Sequence, residues 1–470
     1  MWTSDPSNSL IVANPAHGQA QKITPDNDGG FFISWLDQEQ GYSLYLQRLD
    51  ALGNLLLPLS SPSSDGILVY QRVVPYSTDY GVTIDSAGNV IFGIDSGIQY
   101  ADGSSDVGGN AVACKVSPEG ELLFGSTGII VSSESENIGG DVHCTATNDG
   151  GVVFGWGVGE YFSTQFTKIS HTGAIAWSTS LTRPSPELQI SLNSIASSDN
   201  GSVIVSFFIN EKPQGSSYSS PGDLLTQKLD GADGSHQWSE PVYIYKRQSY
   251  NETGVGPRGE ALSVNDGGVN VYFATPAQDG ESDAIYVQGV NYDGVTLFPE
   301  NGTLVSTNID AHKTEPVIGF NQSSVYVAWN SREQLQYVQG DHSAVFIQLI
   351  NNTGQRLWGD YGLQLEDYFI NNGGSDPIAI MPAGNDVLIA WIPAFSSQTP
   401  GLISNITTAL LDENGSYVWD RQTVDVKNNA TSTYTPGAAK STGNNFVAIS
   451  WLDDYTPLRA QNIDFTGKLG

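Results

Sequence analysis

The side chains best suited to chemistry recur once per repeat of this chain: His17 with Gln19, Tyr80, His143, Asn193, Arg258, His312, Asp376 and Tyr434. The whole sequence has six histidines and 19 Lys plus Arg, so His and Arg at these matched positions stand out. An arginine offers a planar fork that meets a carboxylate through two parallel bonds. A histidine titrates close to neutrality and can take or give a proton. The set therefore suits a pocket that binds a carboxylate and moves a proton. A structural reading competes with it, because such side chains also satisfy backbone groups around a narrow opening. His143, His312, Arg258, Tyr80 and Tyr434 are the candidate catalytic residues. His17, Asn193, Asp376, Arg332 and His342 are the candidate substrate-binding residues, the last two from an insertion at 331–342.

These positions must be held by a repeating scaffold, and the scaffold is visible. The pentapeptide ISWLD occurs at 33–37 and again at 449–453. Short apolar runs such as GGFFISWL, VIVSFF and VLIAWI are bounded by Gly, Asn, Asp or Ser, which is the pattern of many short strands. A tail of form G-x-x-x-(Leu/Phe/Trp) begins at Gly53, Gly120, Gly173, Gly234, Gly294, Gly354 and Gly415, with an eighth start at Gly467. The spacing is 52 to 67 residues, and turns such as NDGG, SAGN and STGN count eight again. Four strand-length segments per unit match a propeller blade. The expected fold is all-β, one β-propeller domain over 1–470 with eight four-stranded blades, seven being the alternative. The last unit has three strands, and residues 8–13 (NSLIVA) have no unit of their own. They are expected to supply its outer strand and close the ring, which would make the two ISWLD copies neighbours. In a propeller the D–A and B–C connections share the face around the central channel, where the eight positions above would open strand A of each blade. The B–C loops vary most, at 95–108, 211–222 and 331–342.

Composition removes several function classes. A net charge of −31 leaves no Lys/Arg surface for nucleic acid, or for an anionic membrane. No run of 18 apolar residues exists to span a bilayer. The opening MWTSDPSNSL has neither a basic region nor an apolar core. The expectation is an extracellular chain whose signal has been removed, glycosylated at sequons Asn200, Asn251, Asn301, Asn321, Asn351, Asn405, Asn414 and Asn429. Cys114 and Cys144 fall in adjacent units and permit one disulfide. Fragments such as DNDGG and DGADG look like pieces of calcium loops, but they sit on tight turns and lack EF-hand spacing. No zinc spacing, nucleotide loop or G-x-S-x-G elbow is present, so neither metal nor cofactor is expected.

The pattern DGG-x-x-x-x-W…Y-x-Q-R-x-D-x-x-G resembles secreted β-propellers, and the full-length organisation is similar to fungal propeller polysaccharide lyases that cleave a rhamnose–glucuronate bond. That group favours seven blades where the repeat here counts eight. The resemblance implies an exo-type lyase acting by β-elimination on an oligo- or polysaccharide with a terminal uronate, as a monomer. It transfers no residue. Tested against the ring, Arg258 would neutralise the uronate carboxylate, His143 or His312 would take the C5 proton, and Tyr80 or Tyr434 would protonate the leaving oxygen. A glycoside hydrolase would need two carboxylates across the bond, and Asp376, Asp141, Glu160 and Glu260 are the candidates. A non-catalytic carbohydrate- or protein-binding propeller would repeat its site from blade to blade, whereas these residues differ.

Overall fold

The computed structural model describes residues 1–470 except 39–40, 59–65, 73, 75–78, 100–102, 104, 107, 134–137, 160–162, 212–221, 247–261, 266–269, 280–281, 309, 322–323, 334–340, 372–375, 394–404 and 429–432. The strands form eight antiparallel sheets that follow one another in sequence as blades 1 to 8. The innermost strands are Gly18–Pro25, Gly81–Ile84, Ile138–Ala146, Leu188–Ser197, Leu262–Asn265, His312–Asn321, Asp376–Ala383 and Thr433–Lys440. Each packs against the innermost strand of the next blade, and that of blade 8 packs against that of blade 1. The ring is closed, with eight blades and not seven. Blade 6 carries an extra strand, Phe369–Asn371, on its third strand. A two-stranded ribbon (Ile98–Gln99 with Ser105–Asp106) fills the B–C loop of blade 2.

Blade 8 is completed as the repeat count requires. Leu10–Ala13 pairs antiparallel with Leu458–Asp464, outside Phe446–Asp453 and Thr433–Lys440. Alternation along each strand gives every blade two apolar faces. Trp35, Trp156, Trp329, Trp391 and Trp451 lie on second strands and are fully buried between neighbouring blades. Two repeated devices lock the outer rim. In blade 4 the third-strand Gln227 donates to the carbonyl of Trp238 at 3.1 Å and accepts from its N–H at 3.2 Å. Gln47, Gln288 and Gln348 grip the tail residues Leu57, Phe298 and Trp358 through backbone bonds of the same kind. The tail tryptophan then reaches the next blade: Trp177 Nε1 donates to Gly231 O at 3.1 Å, and Trp358 Nε1 to Glu413 O at 3.1 Å. Its ring lies against the tail glycine of that blade, where a Cβ on Gly234 would stand 2.7 Å from Trp177. That close approach, with φ at +73°, is why glycine recurs there.

In blade 8 the place of the tail tryptophan is taken by Trp2. Trp2 Nε1 donates to Ala51 O at 2.9 Å in the turn of blade 1, and its ring covers Gly53. Gln461, the blade 8 counterpart of the gripping glutamines, donates to Thr3 O at 2.7 Å. The first residues of the chain therefore do the work of a tail for blade 8. A Cβ on Gly470 would lie 3.5 Å from Thr3 and Ser4.

On the face away from the channel mouth, third-strand cations meet the A–B turns. Arg48 binds Asp26 and Asp28, Lys115 binds Asp85, Lys168 binds Asp149 and Lys228 binds Asp199. The acidic turns owe their composition to these pairs and to Asx geometry, as where Asp26 Oδ1 accepts from Asp28 N–H at 2.9 Å. The expected disulfide is corrected: Cys114 and Cys144 are both free. Val112, Cys114 and Val116 face blade 1, whereas Ala111 and Ala113 face blade 3 and pack with Cys144. The blade 2 sheet stands between the two thiols, and burial pushes each pKa up to about 12.

Candidate functional site

The channel mouth is shaped by a repeated irregularity. The first and second strands slip register in blades 1, 3, 4, 6, 7 and 8, in each case within the innermost strand, and in blade 4 at its middle. Such bulges bend a strand and re-aim its side chains, and they are common beside functional sites. In blades 1 and 6 the bulge places Ala20 and Glu315 at φ of 47° and 52°, a region that costs non-glycine residues energy. In blade 4 the residue skipped by the ladder is Asn193, and it turns inward, buried, to donate to Ser206 Oγ at 2.8 Å. Asn193 is thus held within its blade. The innermost strands of blades 3 and 4 also begin five residues before His143 and Asn193, so neither residue opens its strand.

Blades 1 to 4 line a half-open cavity of about 210 Å³ whose walls include Lys22, Asp79, Tyr80, Asp141, His143, Cys144 and Ser194. Gly81 makes it possible. A Cβ there would stand 2.7 Å from Cys144 N and Val142 O, so only glycine lets the entry of blade 2 lie on the inner strand of blade 3. That contact delivers Asp79 and Tyr80 to the cavity. Lys22 Nζ lies 2.9 Å from both carboxylate oxygens of Asp79 and 2.6 Å from Tyr80 O. Asp79 N–H donates to Asp141 Oδ1 at 2.7 Å. His143 is half-buried, and its ring has no hydrogen-bond partner within the chain among the described residues. Burial lowers its pKa from the usual histidine value, against the pull of the Asp141 and Asp79 charges. It is held neutral near pH 7, as a base must be.

The other expected residues separate into distinct places. Tyr80 is buried and its hydroxyl is 2.8 Å from Ser34 Oγ. Burial raises that phenol's pKa, so its part at the cavity is a carbonyl and a ring 5.0 Å below Lys22 Nζ. The His17 ring lies against that of Tyr455, centroids 4.3 Å apart and planes tilted by 47°, at the blade 8–blade 1 rim. His312 Nδ1 lies 3.3 Å from Asp283 Oδ2, between blades 6 and 5. Asp376 accepts from Asn330 Nδ2 at 3.2 Å, between blades 7 and 6. Arg332 and His342 sit on neighbouring strands of blade 6 but on opposite faces, because Arg332 pairs with Ser343 and Glu333 with His342. His342 shares its face with Ser331 and Glu333. Ser331 meets Tyr368 OH at 3.1 Å, and burial raises the Tyr368 pKa to about 12.

Arg258, the side chain of Tyr434, Glu160, Glu260 and sequons Asn251 and Asn429 lie outside the described residues. Of the remaining sequons, Asn200 and Asn414 are exposed, and Asn301 and Asn321 spend their amides on Lys246 O and Gly384 O. Sequence reasoning missed Lys22, Asp79 and Ser194. Lys22 follows the blade 1 bulge, so a strict period of two could not say which way it points. Asp79 was findable as the residue beside Tyr80.

No family model matches the sequence, and neither does any curated protein. Among solved structures the chain is similar to a PL25 polysaccharide lyase, an ulvan lyase bound to -[GlcA(1-4)Rha3S]-, at 9% identity and TM-score 0.45, covering 89% of this chain and 94% of the other. It is also similar to an α-L-arabinofuranosidase from Fusarium graminearum (9%, TM-score 0.37, 98% and 99% covered) and to an α-L-arabinanase from Penicillium chrysogenum (11%, 0.35, 69% and 92%). Likenesses this loose carry no argument about activity.

Proposed function

We propose that this propeller is a secreted, carbohydrate-active lyase that cleaves a bond to a terminal uronate by β-elimination in the cavity between blades 1 and 4. The observation that carries the reading is His143, an imidazole on the wall of that cavity whose nitrogens have no partner among the described residues, with the Lys22 ammonium on the same wall. In the reaction His143 takes the C5 proton, the C4–O4 bond breaks, and a C4–C5 double bond forms. The departing oxygen takes a proton, which the resulting imidazolium can return.

Elimination needs the uronate carboxylate neutralised, and Lys22 is the cation on hand. A unit charge 4 Å away is worth about 4 kcal/mol at an effective dielectric near 20. The carboxylate must therefore lie on the Lys22 side, away from Asp141, and compete with Asp79 for the ammonium. The acidic exterior of the chain, net −31, repels a long polyuronate and suits end-on attack on a single terminal uronate.

One observation favours a second reading. Asp79 and Asp141 line the same cavity, and two carboxylates across a glycosidic bond are the machinery of hydrolysis. The experiment is to mix the protein with uronate-bearing gums and follow both the ultraviolet absorbance of a 4,5-unsaturated uronate and new reducing ends. Absorbance that rises, and is lost in His143→Gln, supports elimination. Reducing ends without absorbance would replace the lyase by a hydrolase.

A further inference from the structure

Blades 2 and 3 are zipped together where they line the cavity. Tyr80 and Val142 form a parallel bridge between the blades, whereas the seven other isolated bridges among the described residues each stay within one blade. Further along, Ala146 N–H donates to Thr83 Oγ1 at 3.1 Å. At the opposite end of this seam lies the 2.7 Å bond from Asp79 N–H to Asp141 Oδ1. The seam thus ends in a carboxylate, and that carboxylate is on the cavity wall. Asp79 carries the tie on to the cation. Its Oδ1 accepts from Tyr80 N–H at 2.8 Å, and both its oxygens meet Lys22 Nζ at 2.9 Å. Pinning the Asp79 backbone therefore pins the ammonium.

Asp141 also stands two residues before His143 on the innermost strand of blade 3, and both line the cavity. Among the described residues, the charges acting on the imidazole are Asp141 on its own strand, Asp79 at the entry of blade 2 and Lys22 from blade 1. Blade 4 brings Ser194 and Ile195 to the wall, and neither is charged. The Tyr80 phenol and the Cys144 thiol stay protonated, because burial raises the pKa of both. Of the two carboxylates Asp141 pulls harder on His143, and Asp79 is engaged by Lys22. An imidazole that takes a proton in a half-buried site needs a charge to offset the imidazolium it becomes. We propose that Asp141 is the positioning residue of this cavity: its Oδ1 pins Asp79, and with it the Lys22 ammonium, while its charge faces the imidazolium formed when His143 takes a proton. The assignment rests on the base role given to His143 above, and it takes Asp141 out of the carboxylate pair that hydrolysis would need.

Two variants of the full chain separate the parts of this role. Asp141→Asn loses the charge but keeps an oxygen that accepts from Asp79 N–H, and Asp141→Ala loses both. Two measurements need no turnover. One is the titration of His143 by NMR, its signal identified by loss in His143→Gln. The other is affinity for methyl β-D-glucuronide, which has no O4 substituent to expel. The His143 midpoint should move to lower pH in both variants, since each removes a negative charge. Glucuronide binding should be about threefold or more weaker in Asp141→Ala than in Asp141→Asn, which differ in the hydrogen bond and not in charge. Elimination should persist in Asp141→Asn, with the acid limb of kcat/KM moving as the His143 midpoint moves. A midpoint that stays put in Asp141→Asn, or equal glucuronide binding by the two variants, would overturn the role. So would a loss of turnover of about 10²-fold or more in Asp141→Asn with its fold intact, the mark of a carboxylate that acts directly. If no gum yields an unsaturated uronate while both turnover-free results come out as expected, the lyase reading fails and the positioning role holds. Elimination that depends on His143, with a midpoint indifferent to Asp141, would do the reverse.

Discussion

At the scale of single residues, the lyase reading turns on His143 and on what surrounds Lys22. His143→Gln should lower turnover by about 10²–10⁴-fold, the usual worth of a general base, with circular dichroism unchanged. Its pKa is held below the ordinary 6.5 by burial, so the acid limb of the rate profile should fall at a pH below that value. The same shift has a stability sign. The unfolded chain binds this proton more readily, so stability is full above about pH 6.5 and declines as the pH falls toward the folded-state pKa. Asp79→Asn separates the two chemistries. For a lyase it releases Lys22 to the substrate and lowers KM for uronates with kcat kept, whereas for a hydrolase it removes a carboxylate and abolishes turnover.

At the scale of the strand and turn, regularity in the sequence became regularity in the structure wherever backbone geometry dictated the residue. The tail glycines, the gripping glutamines and the tryptophans are each held to type by the same contacts from blade to blade, so they recur and can be read. Gln227→Ala would leave the N–H and C=O of Trp238 buried without partners, and should cost about 2–4 kcal/mol by urea unfolding. The bulges at the channel mouth were not legible. A bulge is one extra residue in one strand, and it inverts the facing of everything after it. That is why Asn193, placed on the rim by alignment to the turns, folds inward, and why Lys22 was not seen. The cysteines failed by the same parity: adjacency in sequence units put them close, and the pleat put a sheet between them.

At the scale of the whole molecule, the eight-blade ring and its mixed last blade were both readable, because a truncated repeat at one end and an orphan strand at the other have one common solution. The candidate site was legible in part. Its residue types were anticipated at the first strands, but which of them converge depends on how closely neighbouring blades approach, as Gly81 permits for blades 2 and 3. The closure should be costly to remove. Trp2→Ala loses a partly buried indole and its bond to Ala51, about 2 kcal/mol, and the loss should show as a lower midpoint in urea with one cooperative transition.

That closure has a consequence for chain connectivity. Since Trp2 and Thr3 stand in for a tail and Gly470 lies beside them, residues 470 and 1 can be bridged by a short link. A permutant of this 1–470 sequence that bridges Gly470 to Met1 and opens in the exposed turn after Glu413 would present Trp419 to its blade as Trp2 is presented to blade 8. It should fold to the same ring, with a urea midpoint equal to the parent's. Failure to fold would mean that the opening in blade 8 is not interchangeable with its seven counterparts, and that assembly of this ring has a preferred seam.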